Sequence, residues 1–113
     1  MPKIQHLNVK LRLRWLKGDE YEANVDTEVL DSCYKPGKIE VVNNPPGIVG
    51  LKDHVYILAD FTHKGQQCSQ VVRKVTQKIE PVHSTGKRFV TAFVRVNGKF
   101  AGFASKQFPK VKK

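Results

Sequence analysis

The sequence predicts a small α+β domain: a curled antiparallel sheet or open barrel of five to six strands with one helix. Three observations carry that reading. Two stretches near the start alternate apolar and polar residues, an Asn-Gly pair joins two strands near the end, and a helical stripe closed by a proline lies between them.

Leu7, Val9, Leu11, Leu13 and Trp15 alternate with Asn8, Lys10, Arg12 and Arg14, the period-two pattern of a half-buried strand. Tyr21, Ala23, Val25 and Val29 repeat it against Glu22, Asn24, Asp26 and Glu28, with Lys17-Gly18-Asp19 as the turn. A hairpin centred on Gly18 sets Arg14 opposite Glu22, Lys10 opposite Asp26, Trp15 opposite Tyr21 and Leu11 opposite Val25. Every pair is then apolar or charge-complementary, which favours this register. The basic stripe of Lys10, Arg12 and Arg14 is thereby largely neutralised.

Residues 38–42 form a short strand between Lys35-Pro36-Gly37 and Asn43-Asn44-Pro45-Pro46-Gly47. Two adjacent prolines cannot donate to a ladder, so 43–52 reads as a rigid surface loop. The nearly unbroken apolar run from His54 to Phe61 reads as a central strand covered on both faces. In 66–80, Cys68, Val71, Val72, Val75 and Ile79 share a helical stripe opposite Arg73, Lys74, Gln77 and Lys78, with Pro81 as a stop. The spacing predicts a helix, against the strand propensity of its valines.

Val96-Asn97-Gly98-Lys99 is a type I′ hairpin signature, since both central residues tolerate positive φ. An unbroken register puts Val90, Ala92, Val94, Val96, Ala101 and Phe103 on a core face. Phe89, Thr91, Phe93, Arg95, Phe100, Gly102 and Lys106 fall on the other, where Gly102 leaves the ring of Phe93 uncovered.

Charge directs the functional reading. The net charge is +10, and residues 61–113 hold twelve cations and the single acid Glu80, whereas 1–60 hold eight cations and nine acids. A one-signed field concentrates polyanions. The expected domain spans 1–105, and 106–113, blocked from extending a strand by Pro109, forms a basic C-terminal arm. The expected partner is nucleic acid, single strands favoured, bound without catalysis. Phe89, Phe93 and Phe100 stack bases, and Arg73, Lys74, Lys78, Lys87, Arg88, Arg95, Lys99, Lys106 and Lys110 meet phosphates. The alternative is an assembly subunit that docks an acidic partner or homodimerises through an exposed hairpin edge.

Residues 81–106 resemble in part the middle of double-stranded RNA-binding domains, through Pro81-Val82-His83, Phe89, Val96-Asn97-Gly98-Lys99, Gly102 and Ser105-Lys106. The resemblance implies a minor-groove contact for His83 and phosphate contacts for Lys106 and Lys110. Pro109 falls where that family runs its closing helix, and the resemblance covers under a quarter of the chain.

Catalytic signals are sparse. His6, His54, His63 and His83 show no metal-ligand spacing with the cysteines or carboxylates, so neither a metal nor a cofactor is expected. Asp60 with His63, or His63 with His83 and Lys64, which could in principle cleave RNA, offers only an acid–base pair without a third positioned group, so a small ribonuclease ranks behind the two binding readings. No apolar run reaches membrane-spanning length, and no signal-peptide core follows Met1. Two cysteines without CxxC spacing read as buried reduced thiols. The expected location is intracellular, cytoplasmic or nuclear, in a cellular or virus-encoded protein.

Overall fold

A computed structural model describes residues 6–42, 50–64 and 67–109. They build strands β1 (Asn8–Lys17), β2 (Glu20–Val29), β3 (Tyr34–Val42), β4 (His54–His63), β5 (Arg73–His83), β6 (Phe89–Val96) and β7 (Lys99–Gln107). One sheet has the order β1-β2-β5 and the other β3-β4-β6-β7. Every pairing is antiparallel except β4 with β6, which run parallel. Leu11, Ala23, Val25 and Val29 from the first sheet meet Ile57, Phe61, Val90 and Val94 from the second in one core. The fold is therefore an all-β sandwich.

The expected α+β class is thus corrected, and so are the strand number and the helix. The stripe at 66–80 mixed two structures. Val71 and Val72 lie exposed ahead of β5. Within β5, Val75, Gln77 and Ile79 turn to the interior while Lys74, Thr76 and Lys78 turn outward, an alternation that a helical reading also fits over so short a span. β-branched residues and pairing along β2 decide it. Pro81 does not stop the segment, because β5 is an edge strand whose register shifts between Ile79 and Val82. No closing helix of the kind that the RNA-binding-domain family carries is present among the described residues.

Other expectations match. The β1–β2 register is the one read from charge complementarity, Arg14 opposite Glu22 and Lys10 opposite Asp26. Arg14 pairs with Glu22, and Arg12 reaches diagonally to Asp26 at 2.6 Å. Val55 to Ala59 of β4 are all buried, but only Val55, Ile57 and Ala59 face the core; Tyr56, on the outer face, is flanked by His54 and Phe93. β3 starts earlier than expected, at Tyr34, because an edge position tolerates Pro36 beside a register shift. Of the expected proline loop, 43–49 fall outside the described residues.

Both open sides of the sandwich are tied across. On one, Leu7 donates its amide to the Ala101 carbonyl of β7 at 2.7 Å before the chain enters β1. On the other, Arg73 of β5 donates to the Tyr34 carbonyl at 2.9 Å, and Gln77 to the Asp60 carbonyl at 3.2 Å. At one end Cys33 and Cys68 form a disulfide, with Cα atoms 5.5 Å apart. The expected reduced, buried thiols are corrected: both cysteines are only half-buried, and they lie in β2–β3 and β4–β5, two of the three connections that cross between the sheets.

Candidate functional site

The hairpin of β6 and β7 turns as its sequence demands, with Asn97 at φ 51° and Gly98 at φ 82°. Its register is nevertheless broken. Arg95 faces Phe100, but Val94 faces Gly102 and Phe93 faces Phe103, so Ala101 is an extra residue in β7. This bulge reassigns every side chain beyond it. Phe103 leaves the core face and stands 58% exposed beside Phe100, which is 41% exposed. Lys106 moves the opposite way, onto the Val90 side. Gly102 is buried against Leu7 and does not uncover Phe93.

The outer face of the β3-β4-β6-β7 sheet consequently carries a row of rings. Phe89 stacks on His54 with centroids 5.0 Å apart, His54 on Tyr56 at 5.8 Å, and Tyr56 on Phe93 at 6.1 Å. Phe93 then meets Phe100 at 5.4 Å and Phe103 at 6.1 Å in tilted contacts. Rings standing this close turn their faces toward one another. Phe93, in contact with three neighbouring rings, is half-buried, and the most exposed rings of this face are Phe100 and Phe103. All three line, with His6, a shallow cleft of about 240 Å³.

The predicted cations do not gather there. Arg95 shares the face, but donates two hydrogen bonds to the Asp60 carboxylate, at 2.6 and 2.9 Å. Lys74 and Lys78 lie on the outer face of the other sheet, where Glu28 and Asn24 are their cross-strand neighbours. Arg73 binds the Tyr34 carbonyl, and Lys87 donates to the Lys52 carbonyl at 2.8 Å. Arg88 precedes β6, while Lys99 and Lys106 mark the two ends of exposed edge strand β7. Lys110 lies outside the described residues. The charge asymmetry of the sequence is dispersed in space: the β1-β2-β5 strands hold seven cations and five acids, and the other sheet five cations and two acids.

The cysteine end holds a second constellation that residue spacing concealed. His63, the last residue of β4, donates from Nε2 to the Asp31 carboxylate at 2.9 and 3.0 Å. Asp31 also accepts the Cys33 amide at 2.8 Å. Burial opposes ionisation of Asp31, but the His63 and Cys33 hydrogen bonds overcome it and hold the carboxyl below its ordinary value. The Tyr34 ring meets the His63 imidazole edge-on at 4.6 Å, and Cys68 Sγ lies 4.0 Å from Nε2. Only the crossing connections bring these groups together, so a search for CxxC or HxxxH spacing misses them.

The acid–base pairs suggested by the sequence are not assembled. Asp60 is taken by Arg95 and His63 by Asp31. His83 contacts Asp19 at the far end of β5, roughly 30 Å along that strand from the His63 end. Comparison with family models, curated proteins and solved structures returns no match for this chain. No helix among the described residues is long and apolar enough to cross a membrane.

Proposed function

We propose that this β-sandwich is a non-enzymatic nucleic-acid-binding protein that favours single strands and receives them along the edge of β7. The observation that carries the reading is the pair Phe100 and Phe103, exposed on that edge between Lys99 and Lys106 in a chain of net charge +10. Bases laid across two free rings gain stacking energy, while the terminal lysines and Arg88 meet the phosphates without reading sequence. Phe103 joins Phe100 as the most exposed ring of the platform, and Phe93 packs against both.

The test is fluorescence anisotropy with labelled single- and double-stranded DNA and RNA at about 50 and 200 mM salt. Three phosphate contacts on a single strand predict an affinity loss on the order of 10-fold across that range. Weak binding alike to all four polymers would reject the reading.

A second reading has its own support. Arg95, the cation that stands among the rings, is neutralised by Asp60, which leaves a largely uncharged aromatic face of the kind that protein partners bury. Self-association through that face would appear as a concentration-dependent mass in sedimentation that Phe103→Asp abolishes. An intracellular location, cytoplasmic or nuclear, belongs to the nucleic-acid reading. There, cellular thiol systems would act on the Cys33–Cys68 bond.

A further inference from the structure

Asp31, Cys33, His63 and Cys68 each offer one ligand atom, and the four atoms all lie within 4.8 Å of one another. A tetrahedral zinc ion with bonds of about 2.0–2.3 Å needs its ligands roughly 3.3–3.8 Å apart. Of the six separations among the four atoms, five are between non-bonded groups and none exceeds 4.8 Å, with His63 Nε2 at 2.9 Å from Asp31 and 4.0 Å from Cys68 Sγ. The sixth, between the sulfurs, is closed by the disulfide and opens only when that bond is reduced.

We propose that reduction converts this end of the sandwich into a zinc site with Cys33, Cys68, His63 and Asp31 as its ligands, so that a metal replaces the disulfide as the staple between the two crossing connections. The reaction balances in two steps. A dithiol reductant transfers two electrons and two protons to the disulfide, giving two thiols and its own disulfide. Zinc then binds as those two thiols release two protons, and the His63 proton moves from Nε2 to Nδ1 so that Nε2 can ligate.

The surroundings suit both steps. A cleft of about 300 Å³ lined by Cys33, Lys35, Thr62, Lys64 and Gln67 gives a reductant and a hydrated ion access to the sulfur. Lys35 and Lys64, which line the same cleft, offset the single negative charge left when two thiolates and one carboxylate meet a divalent ion. The ligand frame is held from behind, as outer hydrogen bonds hold metal ligands generally. The Asn97 side chain bridges the His63 backbone, the Ser69 amide donates to Ser32 Oγ at 2.9 Å, and Ser32 donates its amide to the Ser69 carbonyl at 2.9 Å.

The test titrates the full chain with Co²⁺ after reduction by a phosphine, which, unlike a dithiol, competes little for the metal. The expected result is one Co²⁺ per chain, with thiolate-to-cobalt charge-transfer absorption and tetrahedral d–d bands, both removed by one equivalent of Zn²⁺. The oxidised chain should bind none. His63→Gln should weaken binding on the order of 100-fold or more. This variant keeps both cysteines, so its fold is verified in the disulfide form, where folding needs no metal. Zinc should also raise the unfolding midpoint of the reduced chain and leave the oxidised one unchanged. A reduced chain without charge-transfer absorption at one equivalent, or a His63→Gln chain that binds as tightly as the parent, would overturn the proposal.

Discussion

Asn97 grips His63 with both ends of its side-chain amide. Oδ1 accepts the His63 amide at 3.0 Å, and Nδ2 donates to the His63 carbonyl at 3.0 Å. One residue thus forms the positive-φ corner of the β6–β7 turn and fixes the end of β4, where the imidazole joins Asp31. The hairpin and the cysteine end are mechanically linked through a side chain that the sequence marked only as a turn residue.

Asn97→Gly separates the two roles, because glycine keeps the positive φ and removes the amide. Two exposed hydrogen bonds are lost, so the chain should be destabilised by about 1–2 kcal/mol in urea unfolding. The Tyr34–His63 ring contact should loosen, read as a changed His63 side-chain NMR shift. An unchanged shift would mean that Tyr34 and Asp31 hold the ring without the clamp.

The two phenylalanines opposite each other across β6 and β7 should respond differently to truncation. Phe103→Ala removes an exposed ring, so stability should change by less than about 1 kcal/mol, while single-strand affinity falls by about 1–3 kcal/mol. Phe93→Ala removes the ring that Tyr56, Phe100 and Phe103 lean on, which should cost about 2–4 kcal/mol of stability. Anisotropy and urea melts on both variants distinguish a platform ring from a supporting one.

Much of the sandwich was legible, and the parts that were not share a cause. The β1–β2 hairpin, the buried β4 and the Asn97-Gly98 turn follow from alternation, apolar continuity and turn chemistry, all of which act over a few residues. β5 was misread because its strand side chains and the exposed Val71 and Val72 before it together imitate a helical stripe. The Ala101 bulge has no local signature. It answers to the Leu7 backbone, which arrives from the other end of the chain and needs the space that Gly102 leaves. The Asp31–Cys33–His63–Cys68 cluster was invisible for the same reason, since two crossing connections assemble it.

Acid should weaken the β1–β2–β5 sheet. The Asp26 carboxyl is held below its ordinary value by the hydrogen bond from Arg12, against the opposing effect of burial, and further by Thr76 at 2.6 Å. Glu22 is lowered likewise by Arg14. A carboxylate with a lowered folded-state pKa contributes fully above its unfolded value, near 4, and loses that contribution as pH falls toward the folded one. The urea midpoint should therefore be level near neutrality and drop below about pH 5. Asp26→Asn should lower stability at pH 7 and flatten the acid limb; an acid limb of unchanged steepness would assign the loss to other carboxylates.

The closure of the sandwich by its N-terminal segment can be tested at Gly102. A Cβ built there would stand 2.6 Å from the Leu7 carbonyl oxygen and 3.0 Å from Val9 Cγ2. The first contact is with backbone and cannot be relieved by a rotamer change. Either β7 or the Leu7 segment must move, and the Leu7–Ala101 hydrogen bond lies next to the clash. Gly102→Ala should therefore cost about 1–3 kcal/mol, the range for overpacking a fitted contact, and speed hydrogen exchange at the Leu7 amide. Gly86→Ala is the matched control: its φ of +73° disfavours a side chain, but nothing lies within 4 Å of the added atom. It should cost about 1–2 kcal/mol through backbone strain and leave Leu7 exchange unchanged. If Gly102→Ala left both the urea midpoint and Leu7 exchange untouched, the N-terminal segment would not close that side of the sandwich. The edge of β7 would then be open along its full length to a partner strand.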